Sequence, residues 1–402
     1  DCAGKVYRLA EPKVLVRVAG MAPLQATVWE LERLRCNLCG KVFTAEPPAG
    51  VGTEKYDASA AAMIAMLRYG TGVPFNRLQR LEGNLEIPLP ASTQWEVVHR
   101  AADALEPAWQ ELIRQGAQGR VLHNDDTTMR ILGLDEELRQ QTAEGDSSEE
   151  RTGVFTTGIV STAGNGDEGH SIALFFTGHK HAGENMATVL ARRAAELDAP
   201  IQMCDGLSHN TAGDFETIVA NCLAHSRRKY VEVADSFPEE CRYVLETLRD
   251  VYKHEAVARR EKMTPDERLR YHQEHSGPLM EELETWLEQQ FEQKKVEPNS
   301  SLGRAIKYMQ KHWTELTLFL REPGAPLDNN IAEISLKKAI IHRKNSLFYR
   351  TDNGARVGDL FMGLIYTAEL NRANPFDYLV ALQKHHEAVA ADPAAWMPWN
   401  YR

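Results

Sequence analysis

The sequence predicts a multidomain α+β protein: a mixed β-sheet interrupted by a helical insertion, preceded by a cysteine knuckle and a small helical domain. Three observations carry this prediction. Four short runs rich in β-branched and aromatic residues (VLHND, GVFTTGIV, SIALFF and IQMCD) fall between 121 and 205, bounded by Gly, Asp or Asn. Residues from about 228 to 325 then read as helical almost throughout. Near the start, RCNLCGKVF sets Cys36 and Cys39 at knuckle spacing with Gly40 after them.

At 402 residues the chain has room for two or three cores. No apolar run is long enough to span a bilayer, so no membrane role is expected. The formal net charge of -11 leaves nucleic-acid binding open, because DNA meets one face and not the average surface. Basic residues concentrate at Arg227, Arg228 and Lys229, and again at Lys337, Lys338, His342, Arg343 and Lys344. A solvated surface accounts for either cluster equally well. The cysteines are not spaced like a secreted disulfide framework, and a cytoplasmic protein fits best.

In order along the chain, residues 1–50 alternate β-like runs, such as Val14–Val16 and Val28–Leu31, with turns. Cys36 and Cys39 can grip one tetrahedral zinc, Cys2 offers a third ligand, and a fourth is expected just before Asp1. This zinc-ribbon-like reading stands beside a plain pair of reduced cysteines. Residues 51–118 form a small helical domain: Ala60, Met63, Ile64 and Leu67 share one face, PFNRLQRLEGN is a second helix, and Ser92 or Thr93 caps a third. Three such helices suit a helix-turn-helix DNA reader and equally any small bundle.

Residues 119–350 carry the sheet. Three strands in a row predict an antiparallel meander, and the helix MATVLARRAAEL leads to a fourth, parallel strand. This is the strand order of the ribonuclease-H-like fold. NCLAHSRRKY supplies a fifth strand running into a helix, and the insertion of about 228–325 follows, with Leu279, Leu283, Trp286, Leu287 and Phe291 as one stripe. Residues 351–402 are a helical segment broken at Asn374-Pro375.

Asp125 is expected to close the first strand and Asp205 the fourth, which lie side by side in this topology. Carboxylates there could share hard cations, and a pair of magnesium ions suits in-line displacement at phosphorus. Glu333, in the first turn of a helix capped by Asn329 or Asn330, is the candidate third ligand. The bland readings are a strand end at Asp125-Asp126, a turn at Asp205-Gly206 and a capping box at Glu333. His225 suits a hydrogen-bond donor to a metal-binding carboxylate, a DNA contact or a buried histidine. No nucleophile elbow or phosphate loop appears.

At these residues the chain resembles the transposases of the insertion-sequence 66 family. LDNNIAEISLKKAIIHRKN is similar to the family's Asn-Asn-x-x-Glu helix and Arg-Lys-Asn segment, and CLAHSRRKY to its Cys-x-x-His-x-Arg-Arg-Lys stretch. HNDDT places Asp125 at the first catalytic aspartate and CDG places Asp205 at the second, with Asp126 where the family often has glutamate. Ile334 and Lys337 stand where arginine is common in the family, and Ser346 where an aromatic is frequent.

The resemblance implies a DDE-type transposase in which Asp125, Asp205 and Glu333 hold two Mg2+ (or Mn2+) ions. It implies zinc at Cys2, Cys36 and Cys39, and DNA contacts from His225, Arg227, Arg228, Lys229, Lys337, Arg343 and Lys344. The partners implied are double-stranded DNA at element ends and target, accessory transposition proteins and a second copy in a homodimer on DNA, in a bacterial, nucleoid-associated setting. The alternatives are an inactive or domesticated DNA-binding descendant and a hydrolytic ribonuclease-H-like nuclease.

Overall fold

The computed structural model describes residues 4–5, 7–8, 10, 13–52, 54–134, 153–163, 169–213 and 215–401. Strands β1 (Arg33–Arg35) and β2 (Val42–Thr44) pair antiparallel with Leu34 opposite Phe43. The runs expected as strands at Val14–Val16 and Val28–Leu31 do not form them. Val14, Leu15, Val16 and Val28 are strongly exposed, and among the described residues no neighbouring strand pairs with their backbone groups.

Three helices follow: α1 (Ala58–Ala65), extended by a π-helical turn over Met66–Gly70, α2 (Phe75–Asn84) and α3 (Ala91–Gly116). Asp57 caps α1, its Oδ1 accepting the Ala60 N–H at 2.9 Å. Ser92 and Thr93 do not cap α3. The helix starts one residue earlier, after Pro90, and Gln79 Oε1 accepts the Ala91 N–H at 2.9 Å in place of a local cap.

The five-stranded sheet comprises β3 (Val121–Thr128), β4 (Phe155–Ala163), β5 (His170–Gly178), β6 (Ile201–Cys204) and β7 (Ile218–Asn221), with α4 (Ala182–Leu190) between β5 and β6. Its order is β5-β4-β3-β6-β7. The β3/β4 and β4/β5 pairs are antiparallel, while β6 runs parallel to both β3 and β7. Helix α4 occupies 182–190 and not the expected 186–197. The Asp126 carboxylate and Glu184 fix its start, accepting the N–H groups of Ala182 and His181 at 2.8 and 2.9 Å. Arg193 donates to the carbonyls of Ala117, Gly119 and Asp198, which draws the chain out of the helix at the far end.

The insertion consists of α5 (Leu223–Val233), α6 (Pro238–Arg260), α7 (Pro265–His275), α8 (Gly277–Glu292), α9 (Ser301–Lys311) and α10 (Trp313–Leu316). Its core is continuous with the sheet: Leu248, Leu283, Leu287 and Met309 pack in one cluster with Val121, Ile201, Met203 and Ala220. The chain then returns as α11 (Asn330–Ser346), α12 (Asp352–Leu370), α13 (Pro375–Lys384) and α14 (His386–Ala391). Asn374 caps α13 as the Asn-Pro break predicts, accepting from Phe376 N–H at 3.0 Å.

A second core joins residues of α1, α3, β4, β5, α12 and α13. Trp109 of α3 meets Phe176 of β5 at 6.1 Å between ring centroids, and the Ala173 N–H donates to Thr367 Oγ1 at 3.0 Å. The N-terminal helices thus bury their apolar faces against the sheet and the C-terminal helices, which also explains why α12 is buried on every side from Val357 to Ala368.

Candidate active site

The alternation of β3 sorts its side chains to two faces. Asn124 and Asp126 point toward α4: Asn124 Nδ2 donates to Asn210 O, and Asp126 accepts from Thr157 Oγ1 at 2.6 Å and from the Ala182 N–H. His123 and Thr127 point toward α11, bonding Asn329 and Arg343 respectively. Asp125 lies between them on the α11 face. The two neighbouring aspartates therefore have separate environments, and Asp126 is tied up at a helix N-terminus.

Asp125 does not close its strand. Pairing with β4 runs on to Thr128 opposite Phe155, whereas the parallel partner β6 ends at Cys204. Asp125 thus sits where the sheet loses one neighbour, which opens a notch beside it. The register pairs His123 with Met203, and two residues further along each segment stand Asp125, still within β3, and Asp205, just past the end of β6. Asp205 Oδ1 accepts from the Leu207 N–H at 3.2 Å and from Asn210 Nδ2.

Helix α11 brings the third carboxylate across the sheet. Its N-cap Asn329 is fully buried and caps nothing. Instead Asn329 Oδ1 meets His123 Nδ1 at 3.1 Å, its Nδ2 donates to Asn124 O at 2.9 Å, and its backbone N–H donates to Cys222 Sγ at 3.2 Å. At the far end Arg343 donates to Thr127 Oγ1 and to Thr128, and Tyr349 N–H donates to Arg130 O. The helix is stapled along β3 at both ends.

Gly158, opposite Asp125 on β4, lets α11 approach: a Cβ there would lie 3.0 Å from Leu336 and Ser335. Glu333, three residues before Leu336, is not half of a capping box, and its charge acts on Asp125.

The electrostatics agree with the geometry. Burial, together with the charges of Asp205, Glu333 and Asp126, pushes the Asp125 carboxyl up to about 7 against the Asp126 N–H that favours its ionised form. Three carboxylates close enough to repel are a donor set suited to hard divalent cations. Glu333 also meets the Arg228 guanidinium, with Nη2 at 4.0 Å, and the His225 ring, with Nε2 at 3.7 Å. The ligand atoms of Cys222, His225 and Glu333 lie within 4.8 Å of one another. Burial raises the Cys222 thiol to about 11, which keeps it a protonated neighbour in the metal-free protein.

The residues expected to meet DNA separate into groups. Arg227, Arg228, Lys337 and Lys344 are exposed. Lys229 lies over the Tyr308 ring at 4.3 Å, and Arg343 is consumed by its bonds to β3. His342 does not belong to a basic surface. It is buried and stacked on Tyr349, and burial lowers its ring to about 3. Sequence reasoning missed the latch at Asn329, its partner His123, and Gly158. The only hint was a polar residue beside each end of an apolar run.

At the N-terminus, Cys36 and Cys39 flank a tight turn with Gly40 at φ 72, and the Cys36 N–H donates to Lys41 O at 2.8 Å. The N–H groups of Cys39 and Leu38 lower the Cys36 thiol, a half-site suited to a thiolate-binding ion. Cys2 lies outside the described residues.

The description "Transposase IS66 family" belongs to a family model that matches residues 54–357, more than half of the chain and spanning all three carboxylates. The uncharacterized protein y4jD of Sinorhizobium fredii is 24% identical over 423 residues, covering 100% of this chain and 77% of the relative. A second protein of that organism, y4hP, is 25% identical over 406 residues, covering 92% and 67% respectively. The chain belongs to the IS66 family of transposases.

Proposed function

We propose that the protein is a DDE-type DNA transposase that cuts and rejoins phosphodiesters at the ends of a mobile element, with Asp125, Asp205 and Glu333 as ligands for two Mg2+ (or Mn2+) ions. The observation that supports this reading is that Asp205 and Glu333, from two other segments, stand near enough to Asp125 for their charges to act on its carboxyl. The strand order supports reading the domain as ribonuclease-H-like. Bound there, two such ions would activate the attacking oxygen and stabilise the leaving one.

The chain's own residues do the rest. Asp125 is held within β3, Asp205 is anchored after β6 by the Leu207 N–H and Asn210, and Asn329 fixes the helix that presents Glu333. His225 and Arg228 flank the Glu333 carboxylate. Exposed Arg227, Lys337 and Lys344 supply positive charge for the DNA backbone next to an otherwise acidic notch. Helix α2 keeps Asn76, Arg77 and Arg80 exposed, which suits contact with duplex DNA. The Cys36/Cys39 turn suits a structural zinc completed by further ligands. Assembly as a homodimer on paired ends, with accessory proteins, belongs to the same proposal.

Asp205→Ala and Glu333→Ala, assayed with a pre-cut element end bearing a free 3′-hydroxyl, should lose joining to target DNA in magnesium while duplex binding persists. Joining that survives either change would remove the catalytic assignment. Cleavage without joining by the unaltered protein would make it a hydrolytic nuclease instead.

A further inference from the structure

Beside the carboxylate notch, between α5 and the insertion helix α6, lies a cleft of about 720 Å³. Arg227 and Arg228 enter it from α5, Arg249 and Tyr252 from α6, and Asn330 from the first turn of α11. Arg227 has no carboxylate within ion-pair distance among the described residues, while Arg249 is braced by Asp250 at 3.0 Å and Glu246 at 3.6 Å. Arg228 reaches from this cleft to Glu333, so its far wall adjoins the notch. Three guanidinium groups and the positive end of a 17-residue helix converge on one space, and an aromatic ring forms part of its wall.

We propose that this cleft holds one or two nucleotides of a single nucleic-acid strand leading to or from the carboxylates. The inference rests on the phosphodiester-chemistry reading and extends it to the substrate. The volume favours a single strand over a duplex. A space of this size matches a small-molecule site, whereas a duplex needs an open groove-sized face. Guanidinium forks take phosphate oxygens bidentately, and an aromatic face accepts any base, the combination used by single-strand binders. The insertion thereby acts as a substrate-binding element, since Arg249 and Tyr252 belong to it.

The test uses the full chain, a fluorescein-labelled single-stranded oligonucleotide and a blunt duplex of the same sequence, followed by anisotropy in EDTA. Arg227→Ala and Arg249→Ala should each weaken single-strand binding by about tenfold, the effect of losing one charge-assisted contact. The slope of log Kd against log salt should fall by about 0.7 per lost phosphate contact. Duplex binding should fall by much less than single-strand binding, and inorganic phosphate should compete poorly. Unchanged circular dichroism and melting would keep the comparison to folded protein.

Equal losses for single strand and duplex would overturn the proposal in favour of a general basic surface. Undiminished single-strand affinity in both variants would overturn it outright, as would efficient competition by phosphate alone. Asp205→Ala separates this result from the catalytic reading, because it should still bind the single strand whatever it does to joining.

Discussion

Replacing Asp125 by asparagine is expected to stabilise the metal-free protein at alkaline pH, at the expense of its chemistry. The Asp125 carboxyl stands at about 7 in the fold, against the usual 3.8. Between those values the folded chain keeps a proton that the unfolded chain has released, so stability falls as pH rises from about 4 to about 7. Counted in full, the difference is about 4 kcal/mol; the partial exposure of Asp125 reduces this to about 2–4 kcal/mol. Asparagine carries no charge to be desolvated or repelled by Asp205 and Glu333.

In chelator, Asp125→Asn should therefore melt above the unaltered protein at pH 8, with the gap narrowing as pH falls and closing near pH 4. Magnesium should raise the melting temperature of the unaltered protein and do much less for the variant, because an ion that binds only the fold stabilises it by mass action. Asp359, buried against Thr177 and also pushed up to about 7 by burial, adds a pH dependence of the same sign, which persists in the variant. If Asp125→Asn melted at or below the unaltered protein at pH 8 without metal, the carboxylates would not share a repulsive pocket and the reasoning would fail.

Three further outcomes follow from the packing. Gly158→Ala places a methyl 3.0 Å from Leu336 and Ser335, which should cost about 1–3 kcal/mol in urea unfolding and reduce joining by more than the stability loss explains, since α11 must shift. Asn329→Ala strips partners from buried His123 and from Asn124 O, with an expected loss of about 2–4 kcal/mol; a loss within experimental error would mean that the latch is dispensable. Burial alone would raise the Glu255 carboxyl, but His272, Arg268 and Arg259 hold it down at about 2. Its contribution is thus present above pH 4.5 and fades as pH falls toward 2. Glu255→Ala should cost about 3–5 kcal/mol at pH 7, read by fluorescence of Trp286 and Trp313 in the insertion, and cost less at low pH.

The sequence by itself determined the elements whose signal is local. The β-branched runs became β3 to β6, the Asn374-Pro375 break became a helix cap, and the apolar stripe of Leu283 and Leu287 became buried core. Such patterns are read off neighbours in the chain, because strand alternation and helix caps are properties of a few adjacent residues. Where a local signal lacked a tertiary partner, as in Val14–Val16, no strand formed.

Only the tertiary structure decided what each polar residue does. Asp125 and Asp126 look alike in sequence, yet one meets Glu333 from 208 positions away and the other caps α4, because the sheet carries different helices on its two faces. Likewise His342 and Arg343, adjacent in a basic run, became a buried ring and a structural staple. The physical reason is that burial and charge pairing are set by segments that meet in space, and Asn329, His123 and Cys222 meet only once the insertion has folded out between them.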